Sequence, residues 1–188
     1  SPGRASSARA DAGPIQRAGG PRLKIALNAY SFSRLLNDNI KGNPGLWVSR
    51  VIASQHSPGT AYVTYTGYRQ DDFRPFIYKT TDYGQTWTSI VGNLPNTAIN
   101  VIREDPRNPN LLYLGTEYAF YVSLNGGREW KRFMNGLPTV RIDDILVHPR
   151  DNDLIVGTHG RSIYIMDDIT PLQQLSEAVQ ALDSYLFD

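Results

Sequence analysis

Three carboxylates and one histidine are the groups in this sequence best placed to do chemistry. Glu117, Asp143 and Asp144 are the candidate catalytic acids and bases. Glycoside hydrolysis by two carboxylates needs a pair about 5–9.5 Å apart, so these residues would have to converge on one pocket. The candidate ligand-binding groups are Arg69, Asp71 and Asp72 in one segment, and His159 and Arg161 in another. His159 sits between Gly157-Thr158 and Gly160-Arg161, a turn that can present its ring to a ligand or pack it on a neighbouring element. Carboxylates at strand ends are commonly just solvated, which is the alternative for all three.

Residue types exclude most other chemistry. The chain has no cysteine, which removes disulfides, thiolate metal sites and cysteine nucleophiles. His56, His148 and His159 are widely separated and show no metal-ligand spacing. No phosphate loop, nucleophile elbow or Asp-x-Asp calcium loop is present, so no cofactor or metal is implied. A formal net charge of +1 gives no overall field that would draw nucleic acid. No apolar run approaches the roughly 20 residues of a membrane helix.

The elements that must position these groups repeat along the chain. Thr80-Thr81-Asp82-Tyr83-Gly84-Gln85-Thr86-Trp87 matches Ser123-Leu124-Asn125-Gly126-Gly127-Arg128-Glu129-Trp130 at an offset of 43 residues. Asp105-Pro106-Arg107-Asn108-Pro109-Asn110-Leu111 matches His148-Pro149-Arg150-Asp151-Asn152-Asp153-Leu154 at the same offset of 43. Gly115-Thr116 lines up with Gly157-Thr158. A period near 40–45 residues is that of propeller blades.

Each repeat reads as short strands rich in β-branched and aromatic residues, divided by Gly, Pro and Asn clusters. The first has strands over 47–54, 60–66, 75–80 and 86–91, and the second over 97–103, 110–115, 119–123 and 129–134. The third has strands over 141–147, 153–157 and 162–166, then departs from the pattern. Asp168 holds the acidic place, but no Gly or Trp follows. Instead Thr170 and Pro171 have the chemistry of a helix start. Leu172, Leu175, Val179 and Leu182 fall on one helical face.

The chain therefore reads as all-β: a partial β-propeller of about three four-stranded blades, with a C-terminal helix and a disordered N-terminal tail. Residues 1–22 form the tail, with one large aliphatic residue, Ile15, and a local charge of +3. Such a stretch cannot offset its ordering entropy, and it lacks the apolar stretch of a signal peptide. Residues 23–45 are a strand-like segment and linker. Blades follow over about 46–92, 93–136 and 137–170, and the helix over 171–188. The loop from Tyr68 to Arg74 makes the first repeat seven residues longer than the second between its second strand and its Asp-turn.

The two aligned hairpins resemble the Asp-box of BNR repeats. In that resemblance Asp82, Gly84, Trp87, Asn125, Gly127 and Trp130 are structural: the acid or amide closes the turn, glycine takes positive φ, and the indole packs over it. The run from Gly157 to Leu172 resembles the end of the propeller in large bacterial BNR/Asp-box proteins, which are related to sortilin-type propellers and often labelled glycosyl hydrolases. The similarity covers about Leu46 to Asp188. It implies an extracellular or periplasmic parent, further propeller blades as partners, and a binding or interaction module for a glycan or peptide, non-catalytic as it stands. The alternative is part of a sialidase- or xyloglucanase-like glycoside hydrolase whose site is completed by other blades. Leu23 to Phe32 resembles the first strand of a sugar isomerase/epimerase barrel, which would make residues 23–41 foreign to the rest.

Overall fold

The computed structural model describes residues 40 and 45–187. The expectations for the tail over 1–22 and for the strand-like segment before Ile40 lie outside the described residues.

Among the described residues, eleven strands form three antiparallel sheets. The first sheet runs β1 (Trp47–Ala53), β2 (Ala61–Gly67), β3 (Asp72–Thr80) and β4 (Thr88–Ser89) in sequence order. The second repeats it with β5 (Ile99–Glu104), β6 (Leu112–Thr116), β7 (Phe120–Ser123) and β8 (Lys131–Arg132). The third has three strands, β9 (Ile142–Val147), β10 (Leu154–Thr158) and β11 (Ile163–Met166). Each is an up-and-down meander, and β1, β5 and β9 stand side by side. This is the β-propeller arrangement expected from the repeat. The outermost strands β4 and β8 are two residues long, shorter than the sequence suggests.

The middle strands explain the composition. All five residues of β6 are buried, because sheets pack on both of its faces. Tyr62, Ile77, Ile102, Leu114 and Trp130 fill the space between the first two sheets. Val101, Tyr113, Phe120, Ile142, Ile145 and Val156 fill the space between the second and third. Gly115 is required at this second contact. A Cβ there would lie 2.6 Å from Val101 Cγ1 and 2.7 Å from Ile142 Cγ2. Gly157, its counterpart in the third sheet, would meet nothing nearer than 3.6 Å. The same face of the third sheet is open: Leu146, Ile163 and Ile165 are 50%, 67% and 61% exposed.

The two matched hairpins share one hydrogen-bond scheme. The Thr86 backbone N–H donates to Asp82 Oδ1, and that of Glu129 donates to Asn125 Oδ1, both at 2.9 Å. The Gly84 and Gly127 N–H groups donate to Thr80 Oγ1 and Ser123 Oγ, again both at 2.9 Å. Both glycines have positive φ. The tryptophans differ. Trp130 is buried and its indole N–H reaches Ile90 O on the preceding sheet. Trp87 is half-buried and bonds Gly84 O in its own turn.

Beyond β11 the single helix expected over 171–188 is two short ones, α1 (Thr170–Gln174) and α2 (Glu177–Gln180), interrupted at Leu175 and Ser176. Thr170 begins α1 but does not cap it. Its hydroxyl donates to Asp168 Oδ1 and accepts from Asn152 Nδ2. Gln173 explains where α1 docks: its amide N–H group donates to both oxygens of buried Asp105, at 3.1 and 2.9 Å.

Candidate functional site

Each innermost strand contains a β-bulge at the same place. The register slips between Val48 and Arg50, between Ile99 and Val101, and opposite the Gly157–Thr158 step, between Ile142 and Asp144. The extra residues are Ser49, Asn100 and Asp143. A bulge re-aims a side chain out of the alternating pattern, and all three line one cleft of about 590 Å³.

The residues around each bulge are equivalent too. Trp47, Ala98 and Arg141 stand two positions before it. Opposite them are Thr66 on β2, and Glu117 and His159 one residue past the ends of β6 and β10: Trp47 registers with Thr66. The Glu117 and His159 N–H groups donate to Ala98 O and Arg141 O at 3.1 and 2.9 Å. One backbone frame thus presents a different triplet from each sheet. Arg50, Tyr68 and Arg69 complete the lining.

Charge in the cleft is organised by Arg141. Its Nε donates to Asp143 Oδ1 at 2.6 Å, and its Nη1 lies 3.7 Å from Glu117 Oε1. Asp143 Oδ2 is 3.1 Å from His159 Nδ1. Asp144 turns aside from this group. It accepts from Arg50 and Arg103 at 3.0 and 3.1 Å and from the Ile145 N–H at 2.9 Å. Burial draws the Arg50 guanidinium below its ordinary pKa, against the pull of Asp144.

The aromatic wall comes from β1 and the long loop. Tyr68 and Arg69 lie on a 3-10 turn over Tyr68–Gln70 that ends at Asp71 with φ of 56°. The Arg69 guanidinium stacks 6.0 Å from the Trp47 ring and 5.6 Å from the Tyr68 ring, and its Nε donates to the Tyr68 hydroxyl. The Arg141 guanidinium lies 5.5 Å from the same Tyr68 ring. Hydrogen bonding from Arg69 and Arg141 lowers the pKa of the Tyr68 hydroxyl. Trp47 is 47% exposed.

Of the residues singled out in the sequence, Asp143, His159 and Arg69 line the cleft, and Glu117 joins them through Arg141. Asp71 is exposed, Asp72 pairs with Arg74 at 2.7 Å, and Arg161 is exposed; none of the three lines the cleft. Trp47, Ser49, Arg50, Thr66, Asn100 and Arg141 were not legible as site residues. The repeat held a signal for one of them: the 43-residue offset carries Asp143 back onto Asn100. Among the described residues no three His, Asp or Glu side chains form a metal-ligand group, and no helix is long and apolar enough to cross a membrane.

No family model and no curated protein matches the chain. Solved structures do. An ancestral GH74 enzyme aligns at 25% identity with a TM-score of 0.51, over 61% of this chain and 14% of that one. A GH74 enzyme of Niastella koreensis aligns at 20% identity and 0.52, over 64% of this chain and 21% of that one. YCF48 bound to D1 peptide aligns at 12% identity and 0.29, over 69% and 67%. The chain spans less than a quarter of either GH74 enzyme.

Proposed function

We propose that this chain is part of a larger secreted bacterial propeller of the BNR/Asp-box type, related to sortilin-like propellers, and that its cleft binds a glycan without hydrolysing it. The carrying observation is the cleft itself: an exposed Trp47 wall beside three bulge residues that share a floor. Aromatic faces and a few placed polar groups are what a sugar ring needs.

The carboxylates argue for binding over catalysis. Asp143 has one oxygen on Arg141 and the other on His159. Asp144 is held by two arginines and sits outside the lining. Hydrolysis would need one carboxyl group free to protonate a leaving oxygen and a second facing the sugar. The open apolar face of the third sheet supports the larger propeller, since the same face of the second sheet is covered by the next blade.

A second reading, part of a glycoside hydrolase completed by other blades, is favoured by the 25% identity to the ancestral GH74 enzyme. One experiment separates the two. Trp fluorescence is followed while neutral β-glucan oligosaccharides are added, and reducing ends are assayed alongside. The expected result is saturable quenching that Trp47→Ala abolishes, with no new reducing ends. Unchanged binding by Trp47→Ala overturns the site, and release of reducing ends favours the hydrolase.

A further inference from the structure

Unsatisfied polar atoms are concentrated at this cleft. Among the described residues, five buried side-chain atoms have no hydrogen-bond partner: Arg50 Nε, Thr66 Oγ1, Thr97 Oγ1, Asn100 Nδ2 and Glu117 Oε1. Arg50, Thr66 and Asn100 line the cleft, and Glu117 adjoins it through Arg141. Asn100 is 8% exposed, so its amide is held almost wholly inside the protein without a partner for its donor. Native structures contain few such groups, because each one forfeits a hydrogen bond that water gave the unfolded chain. Their gathering around one bulged frame marks a surface built to be completed by something else.

The mixture of types identifies that partner. Arg50 Nε and Asn100 Nδ2 can only donate, Glu117 Oε1 accepts, and the Thr66 hydroxyl does either. A carboxylate or phosphate has acceptors alone and would face Glu117 unfavourably. A hydroxyl group both donates and accepts. The arginines of the floor already have carboxylate partners: Arg50 shares Asp144 with Arg103, and Arg141 lies between Asp143 and Glu117. Arg69 is stacked on Trp47 and Tyr68 at the rim.

We infer that the cleft floor reads neighbouring hydroxyl groups of a neutral sugar ring, with Asn100 Nδ2 and Arg50 Nε donating to them and Glu117 Oε1 accepting from them. Asn100 and Glu117 are then specificity residues, facing the sugar from the innermost strand of the middle sheet and from the residue just past its second strand. This rests on the glycan-binding reading of the cleft and adds which glycan chemistry it accepts.

The test uses the full chain and isothermal titration with two probes, cellotetraose and tetragalacturonate. Asn100→Asp replaces the donor by an acceptor of the same shape, and Glu117→Gln does the reverse while removing a charge. Matching far-UV circular dichroism and melting curves show that both variants fold. Cellotetraose is expected to bind the unmodified chain and to lose about tenfold or more in affinity in each variant, as for a hydrogen bond to a charged or buried partner. Tetragalacturonate is expected to bind more weakly. Cellotetraose binding that neither variant changes, or tighter binding of tetragalacturonate, overturns this inference and leaves the glycan reading standing. Failure of both probes to bind overturns both.

Discussion

Asn100 and Asp143 are the same residue of two successive repeats, each the extra residue of a bulge on an innermost strand and each lining the cleft. Their difference in charge is what makes the cleft asymmetric. Asp143 gathers Arg141 and His159, whereas Asn100 has no partner for its amide donor. Asp143→Asn should therefore loosen Arg141 and His159 without disturbing the strand. A crystal structure or side-chain NMR of the variant should show both side chains reoriented, while backbone amide shifts of β9 stay close to those of the parent.

The two glycines of the Gly-Thr pairs should respond unequally to substitution. Gly115→Ala forces a methyl against Val101 and Ile142, and should cost about 1–3 kcal/mol as overpacking. Gly157→Ala meets only ordinary contacts, the nearest being Asp144 O at 3.6 Å, and should stay within about 0.5 kcal/mol of the parent. Urea unfolding of both variants checks this. Equal losses would show that the third sheet is covered on its far side in solution.

The tryptophans of the two hairpins should separate in the same way. Trp130→Ala removes a buried ring that also ties the second sheet to Ile90, and should cost about 3–5 kcal/mol. Trp87→Ala removes a half-buried ring bonded inside its own turn, and should cost clearly less. Chemical denaturation midpoints at constant slope measure the difference.

Acid should act through the first hairpin and spare the second. Hydrogen bonds from the Thr86 hydroxyl and N–H and the Thr80 hydroxyl hold the pKa of Asp82 at about 2. That lies below the value of about 3.9 in an unfolded chain. The stabilisation is therefore present above about pH 4 and is lost as pH falls toward 2. Asn125 occupies the equivalent place and does not titrate. Melting temperatures between pH 5 and pH 2 should fall less steeply in Asp82→Asn than in the parent, and parallel profiles would refute the assignment.

The open face of the third sheet should govern behaviour in solution. Leu146, Ile163 and Ile165 form an exposed apolar patch on a sheet whose counterpart is covered. Such patches promote association. Light scattering should show concentration-dependent association, reduced by Ile163→Lys together with Ile165→Lys. A monomer at all concentrations would mean that this face is already covered.

The sequence by itself determined the strands and their grouping. β-branched and aromatic runs, turn residues and a 43-residue repeat are local or self-referential signals, and they placed all eleven strands of the described residues. They also determined the hairpin scheme around Asp82 and Asn125, because every partner in it lies within a few residues. Tertiary structure decided the rest. The cleft is assembled from bulges, and a bulge depends on how two strands register, which residue types alone do not state. Asp143 and Asp144 are adjacent in sequence, yet the bulge turns one into the cleft and leaves the other to Arg50 and Arg103. The broken C-terminal helix has a similar cause. Its apolar spacing suits a long helix, but α1 is anchored by Gln173 at Asp105 and Asn152, and the chain breaks where that docking ends.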